Sequence, residues 1–265
     1  MVGPDSWWHW HSDLYSGLLL LVGVYAMAIG PLRGYIAPKS VNAPSISQVG
    51  CFLLGCVAML FALAGPIHEL SDEYLFSAHM AQHIILTLLV PPLLLLGTPG
   101  WLIRPLVKPK LIFKVMIFAS KPLTAFIIFN VMFVTWHFPI FYEGALNNHL
   151  LHILEHLLFM ATSVIVWWPV LSPLHEIPRS SYPIQVLYLV MLTISQTPLF
   201  AVITFSTGVI YDFYDMAPRM WGISSLADQQ IGGIIMKLSW ILVFLPTICI
   251  VFIRWYHEDS QMESK

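Results

Sequence analysis

Charge is what this chain has least of. Only 10% of its 265 residues are Asp, Glu, Lys or Arg, against roughly 25% in an ordinary soluble domain. With 58% hydrophobic residues and a mean hydropathy of +0.77, a soluble core of this size would leave most of its apolar surface uncovered. Soluble enzymes are therefore set aside and an integral helical membrane protein is expected. The net charge is −2, with no basic tail, low-complexity tract or internal repeat, so nothing offers itself to nucleic acid. Cysteine is scarce. Cys51, Cys56 and Cys249 all lie in apolar runs, make no disulfide framework and read as small apolar core residues. Lys and Arg are missing from Met1 to Asp13. A cleaved signal peptide carries a positive n-region, so the first apolar stretch is expected to be a retained span.

What is present is length in apolar runs. Seven stretches, near 14–30, 47–66, 75–97, 122–137, 151–171, 183–206 and 229–255, suit about 30 Å of hydrocarbon at about 1.5 Å per residue. The expected fold is all-α, a polytopic membrane protein whose residues 1–265 form a single seven-helix transmembrane domain. The fourth run is short, and its helix has room to begin among residues 112–121. Pro91-Pro92, Pro198 and Pro246 are expected to kink the third, sixth and seventh spans. Ten of the 12 Lys and Arg fall in alternate connections and the tail. Arg219 stands on the other side and Lys237 inside the seventh span. The bias predicts N-out, C-in.

Nine of the 11 histidines then collect on the outer side, all but His175 and His257. His79 and His83 open the third span and His152 and His156 open the fifth, each pair one helical turn apart on one face. His137 ends the fourth. Depths of roughly 7 and 13 Å for the first pair and roughly 3 and 9 Å for the second overlap. The two pairs and His137 can therefore close on one point in the outer leaflet. Ionisable groups at such depth cost a few kcal/mol, which makes function their default reading. Imidazole suits copper, zinc, iron and nickel, and thioethers favour Cu(I), so Met80 and Met236 are added as ligand candidates. Core filling is the bland alternative for the methionines, and interhelical hydrogen bonding for the histidines. Glu155 is placed to orient an imidazole. His9-Trp10-His11 offers a loose surface site. Thr193 to Thr197 read as interhelical hydrogen-bonding groups near Pro198, and Tyr211 to Trp221 as an interfacial lid.

Four blocks carry a resemblance: His79-Met-x-Gln-His83 with Pro91-Pro92 and Gly97-Thr-Pro99; Trp136-His137-x-Pro139-x-x-Tyr142; His152-x-x-Glu155-His156 with Trp167-Trp168-Pro169; and Asp228-Gln229-Gln230-x-Gly232-Gly233-x-x-Met236. Together, in this order, they resemble the CtaG family of cytochrome c oxidase assembly factors. The resemblance implies a seven-span protein of the bacterial cytoplasmic (inner) membrane that is not an enzyme. Its role would be that of a metallochaperone supplying copper to the copper-bearing subunit of cytochrome c oxidase. His79, His83, His137, His152 and His156 would be the copper-linked set, with Met80, Met236, Asp228 and Gln229 as further candidates. The expected cargo is copper, as Cu(I) rather than Cu(II), held on the extracytoplasmic side. Expected partners are the oxidase, an extracytoplasmic copper donor, membrane lipid and a second copy of the chain. One departure stands out: Lys237 occupies a position where the family is expected to hold an aromatic residue.

Two other classes use the same residues. An intramembrane zinc-dependent hydrolase would hold Zn²⁺ with three His and Asp228 and activate water. A haem-binding membrane redox protein would use facing histidines as axial ligands.

Overall fold

The computed structural model describes residues 12–38 and 41–263. Among these every regular element is a helix, and none is a strand. In chain order they are α1 (Ser12–Ile29), α2 (Arg33–Ile36), α3 (Ile46–Leu63), α4 (Pro66–Glu73), α5 (Phe76–Ile84), α6 (Val90–Gly97), α7 (Gly100–Val107), α8 (Lys110–Ala119), α9 (Pro122–Trp136), α10 (Pro139–Leu146), α11 (His149–Leu171), α12 (Tyr182–Ser195), α13 (Thr197–Phe205), α14 (Asp212–Met216) and α15 (Ser225–Glu263). A π-turn, Ile85–Leu89, joins α5 to α6. His9 and His11 lie outside the described residues.

Six helical stretches among the described residues are long and apolar enough to cross a membrane. A seventh exists if α8 and α9, bent by 85° at their junction, count as one span. Alone, α9 has 15 residues, roughly 22 Å at the helical rise, which is short of the hydrocarbon thickness. Pro122 sets its first turn and Lys121 is extended, so α8 turns away rather than extending it.

The expected second span ends early, and residues 66–73 continue as α4. Gly65 makes that corner at φ 78°, a region where L side chains rarely fit. Near Pro91-Pro92 the irregularity precedes the prolines. Pro91 has no N–H for the Thr87 carbonyl, the helix widens to a π-turn, and the Trp167 indole N–H donates to Thr87 O at 3.2 Å instead. At Pro198 the span breaks between α12 and α13. Gln196 Nε2 there donates to Asn130 Oδ1 across helices at 2.8 Å. Thr193, Ser195 and Thr197 donate to carbonyls three or four residues back in their own chain, and Thr197 Oγ1 also accepts across helices from Lys237 Nζ. Helix α15 runs through Pro246 unbroken.

The main core gathers Phe129, Phe133, Phe159, Phe200, Trp240 and Phe244, and α15 packs against α5, α12 and α13. By contrast α1 is loosely held, burying only Tyr25 and Ala28. Two cysteines meet the core expectation partly or wholly: Cys56 is buried and Cys51 half-buried. Cys249 is exposed, because it lies on the outward face of α15, where no other helix covers it.

Candidate metal centre

The starts of α5 and α11 and the end of α9 meet at one end of the bundle. The His79 and His83 rings lie 4.3 Å apart along α5, and those of His152 and His156 lie 4.3 Å apart along α11. Across the two helices the rings of His83 and His156 are 5.4 Å apart, and those of His79 and His152 are 5.5 Å apart. All four are buried, as is Glu155. Ligand atoms of His79, His83 and His156 fall within 4.8 Å of one another, and so do those of Asp72, His79 and His152.

Hydrogen bonding fixes two of the ring faces, those of His79 and His137. Tyr214 Oη donates to Ser71 O at 2.6 Å and lies 3.2 Å from His79 Nδ1. With the phenol proton committed to Ser71, His79 Nδ1–H is the donor, so Nε2 carries the lone pair. Burial raises the Tyr214 phenol well above its ordinary range, so it remains neutral. At His137, Nδ1–H donates to Phe133 O at 2.7 Å, again freeing Nε2. The Nε2 atoms of His79, His83, His137, His152 and His156, and both Glu155 oxygens, are buried with no hydrogen-bond partner among the described residues. Each such atom costs about 1–3 kcal/mol if left unmade. Two further separations are near ligand spacing: His152 Nδ1 to Asp72 Oδ2 is 3.6 Å and His83 Nε2 to Glu155 Oε1 is 3.8 Å. Both are too long for hydrogen bonds. Two ligands at roughly 2.1 Å from a tetrahedral ion sit roughly 3.4 Å apart. The residues therefore fit a metal of the imidazole-binding class.

The other expected ligands sit elsewhere. His137 is adjacent but outside both three-residue sets, and the Phe159 ring packs against it and against His83, with centroids at 6.4 and 4.4 Å. Asp228 is spent on the start of α5: Oδ2 accepts from Phe76 N at 2.7 Å, and Oδ1 accepts from Ser77 N and the Ser77 hydroxyl. Gln229 Oε1 accepts from Ile210 N at 2.7 Å, and its Nε2 donates to Ile203 O and Gly208 O. Met80 and Met236 are buried in the apolar core, Met80 beside Gly232 of α15. A Cβ on Gly232 would come within 2.5 Å of Phe76 Cδ1. Asp228 and Gly232 thus position α5, while Gln229, Gln230 and Gly233 bond or pack against residues 200–210. Lys237, the departure from the family pattern, donates from Nζ to Thr197 Oγ1 at 2.8 Å. A lysine so deep in a span takes the nearest hydroxyl.

Asp72, Ser71 and Tyr214 escaped the sequence reading as site residues. Asp72 had a signal: it stands four after His68 in a polar stretch, His68-Glu-Leu-Ser-Asp72, and its Oδ1 lies 3.5 Å from His68 Nδ1. Of the segment 211–221, expected as an interfacial lid, Tyr211 and Tyr214 are buried over Phe76 and Tyr142 while Met216 and Trp221 are exposed. Its Tyr211 Oη donates to His137 O at 2.9 Å.

Membrane-crossing helices with a buried imidazole cluster at one end define a polytopic membrane protein with a candidate metal centre. Residues 23–258 match the cytochrome c oxidase caa3 assembly factor family (Caa3_CtaG). The chain belongs to that family. It is also similar to uncharacterized proteins of Mycobacterium bovis and Mycobacterium tuberculosis, each 27% identical over 94% of this chain and 39% of the relative. A third, from Mycobacterium leprae, is 25% identical over 96% of this chain and 40% of its own length. The chain thus spans about two-fifths of these curated relatives. No solved structure matches it.

Proposed function

We propose that this protein is a non-enzymatic assembly factor that binds copper in its imidazole cluster and passes it to the copper-bearing subunit of cytochrome c oxidase. The observation that carries the reading is the set of buried, unpartnered Nε2 atoms on His79, His83, His152 and His156. Imidazole without thiolate suits a cargo that must leave, because nitrogen ligands exchange where a closed thiolate cage would hold. Transfer proceeds by ligand exchange and requires no covalent intermediate.

In this reading the protein is one seven-span domain of the bacterial inner membrane, with its N-terminus outside. The cluster faces the extracytoplasmic side, where a copper donor would load it. The Lys and Arg bias supports that orientation, and family membership supports the oxidase as partner.

Metal analysis of the purified protein, with and without His79 and His83, tests the reading. Copper in the native chain that falls at least about tenfold in the His79→Ala, His83→Ala double variant is expected. Copper retained after both are lost would overturn the site. Zinc at one per chain together with lipid hydrolysis would overturn the function. A haem Soret band in the purified protein would also overturn it.

A further inference from the structure

The cluster contains two ligand sets, His79–His83–His156 and Asp72–His79–His152, and they share His79. They differ in depth and chemistry. The first is all imidazole and buried; the second includes a carboxylate, and the Asp72 side chain is 26% exposed. A cavity of about 430 Å³ reaches them from one side, between α1, α3, α4 and α11. His68, Asp72, His149, His152 and His156 line it, facing Leu14 and Gly17 of α1. Neither His79 nor His83 lines it.

From this we infer that Asp72 and His152 form a loading station that receives the ion from the cavity and delivers it, through the shared His79, to the inner station of His83 and His156. The inference rests on the copper-binding role proposed above. An imidazole common to both sets ties them to a single ion in turn. An ion held by Asp72, His79 and His152 moves inward by keeping His79 and exchanging the other two ligands. It is never fully released, because one bond persists throughout. No electron is transferred, and the charge of the ion is unchanged. His152 and His156, one turn apart with rings at 4.3 Å, both line the cavity, so the incoming ligand lies beside the outgoing one. The carboxylate belongs at the mouth: it draws a cation from water by charge. The all-imidazole set is drier and holds the ion longer.

Cu(I) presented as its complex with a coloured chelator separates the two stations. The rate of colour loss reports loading, and its amplitude reports stoichiometry. The native chain is expected to take one ion. Asp72→Asn is expected to slow loading at least about tenfold while the amplitude stays at one. The substitution is isosteric and leaves an oxygen for Ser71, whose hydroxyl donates to Asp72 Oδ1 at 2.7 Å. His152→Gln is expected to slow loading likewise. His83→Ala is expected to keep the ion at the outer station, from which added chelator recovers it at least about tenfold faster than from the native chain. Two ions per native chain, or native loading rates in both Asp72→Asn and His152→Gln, would overturn the relay while leaving the copper reading intact. A native chain that takes no copper would overturn both.

Discussion

Two helix starts in this molecule are polar and buried, and they are polar in opposite ways. At the start of α15, Asp228 and Gln229 have found partners for their side-chain oxygens and for the Gln229 amide nitrogen. At the start of α11, His152, Glu155 and His156 leave buried atoms with none among the described residues. Both blocks belong to the family resemblance, and both looked ligand-like in the sequence. The difference separates residues that hold the helices together from residues left with free buried ligand atoms. A satisfied polar group specifies the fold, while an orphaned one requires something from outside.

This contrast predicts effects of opposite sign. The largest is expected from Asp228→Ala, which strips the carboxylate from the buried and part-buried first N–H groups of α5 and should cost about 3 kcal/mol in denaturant unfolding. Next comes Gly232→Ala, whose new methyl meets the Phe76 ring and Met80. It should cost about 2 kcal/mol and weaken copper binding by displacing α5. The smallest change reverses direction. His156→Leu removes an orphaned nitrogen in favour of an apolar group, and should raise the stability of the copper-free chain by about 1 kcal/mol while copper occupancy drops. If His156→Leu instead destabilised the copper-free chain as Asp228→Ala does, the start of α11 would be structural as well.

Much of this was legible beforehand. The apolar runs mark the helices because hydrocarbon demands length and internally satisfied backbone. The two His pairs declare a shared face because helical period is local, and the structure brings them within ring contact. Asp228 reads as a ligand candidate because an acid at a helix start looks the same whether it faces an ion or a neighbour's backbone N–H groups. Only the packing of α15 on α5 decides that. Asp72 and Tyr214 were missed for the same reason: each reaches the cluster from a segment outside the apolar runs, through contacts 80 and 135 residues apart in the chain, His152 to Asp72 and Tyr214 to His79. The π-turn before Pro91 is the disturbance expected of the third span, since a proline disturbs the turn before it, where its missing N–H is felt.

That turn sets the angular phase of the whole site. On one side of it, α6 is anchored to the bundle: Tyr25 Oη donates to Gly97 O at 2.8 Å, and Gly97 lies directly against Phe52. On the other side, α5 carries His79 and His83. The π-turn winds one more residue into the chain between them than an α-helix would, and each residue amounts to roughly 100° of rotation. Residues 85–89 therefore act as a one-residue phase shifter, aiming an imidazole face at α11 from a helix whose far end is clocked against α3. Deleting any one of them would keep every imidazole in the sequence and turn the His79 and His83 face roughly 100° away from α11.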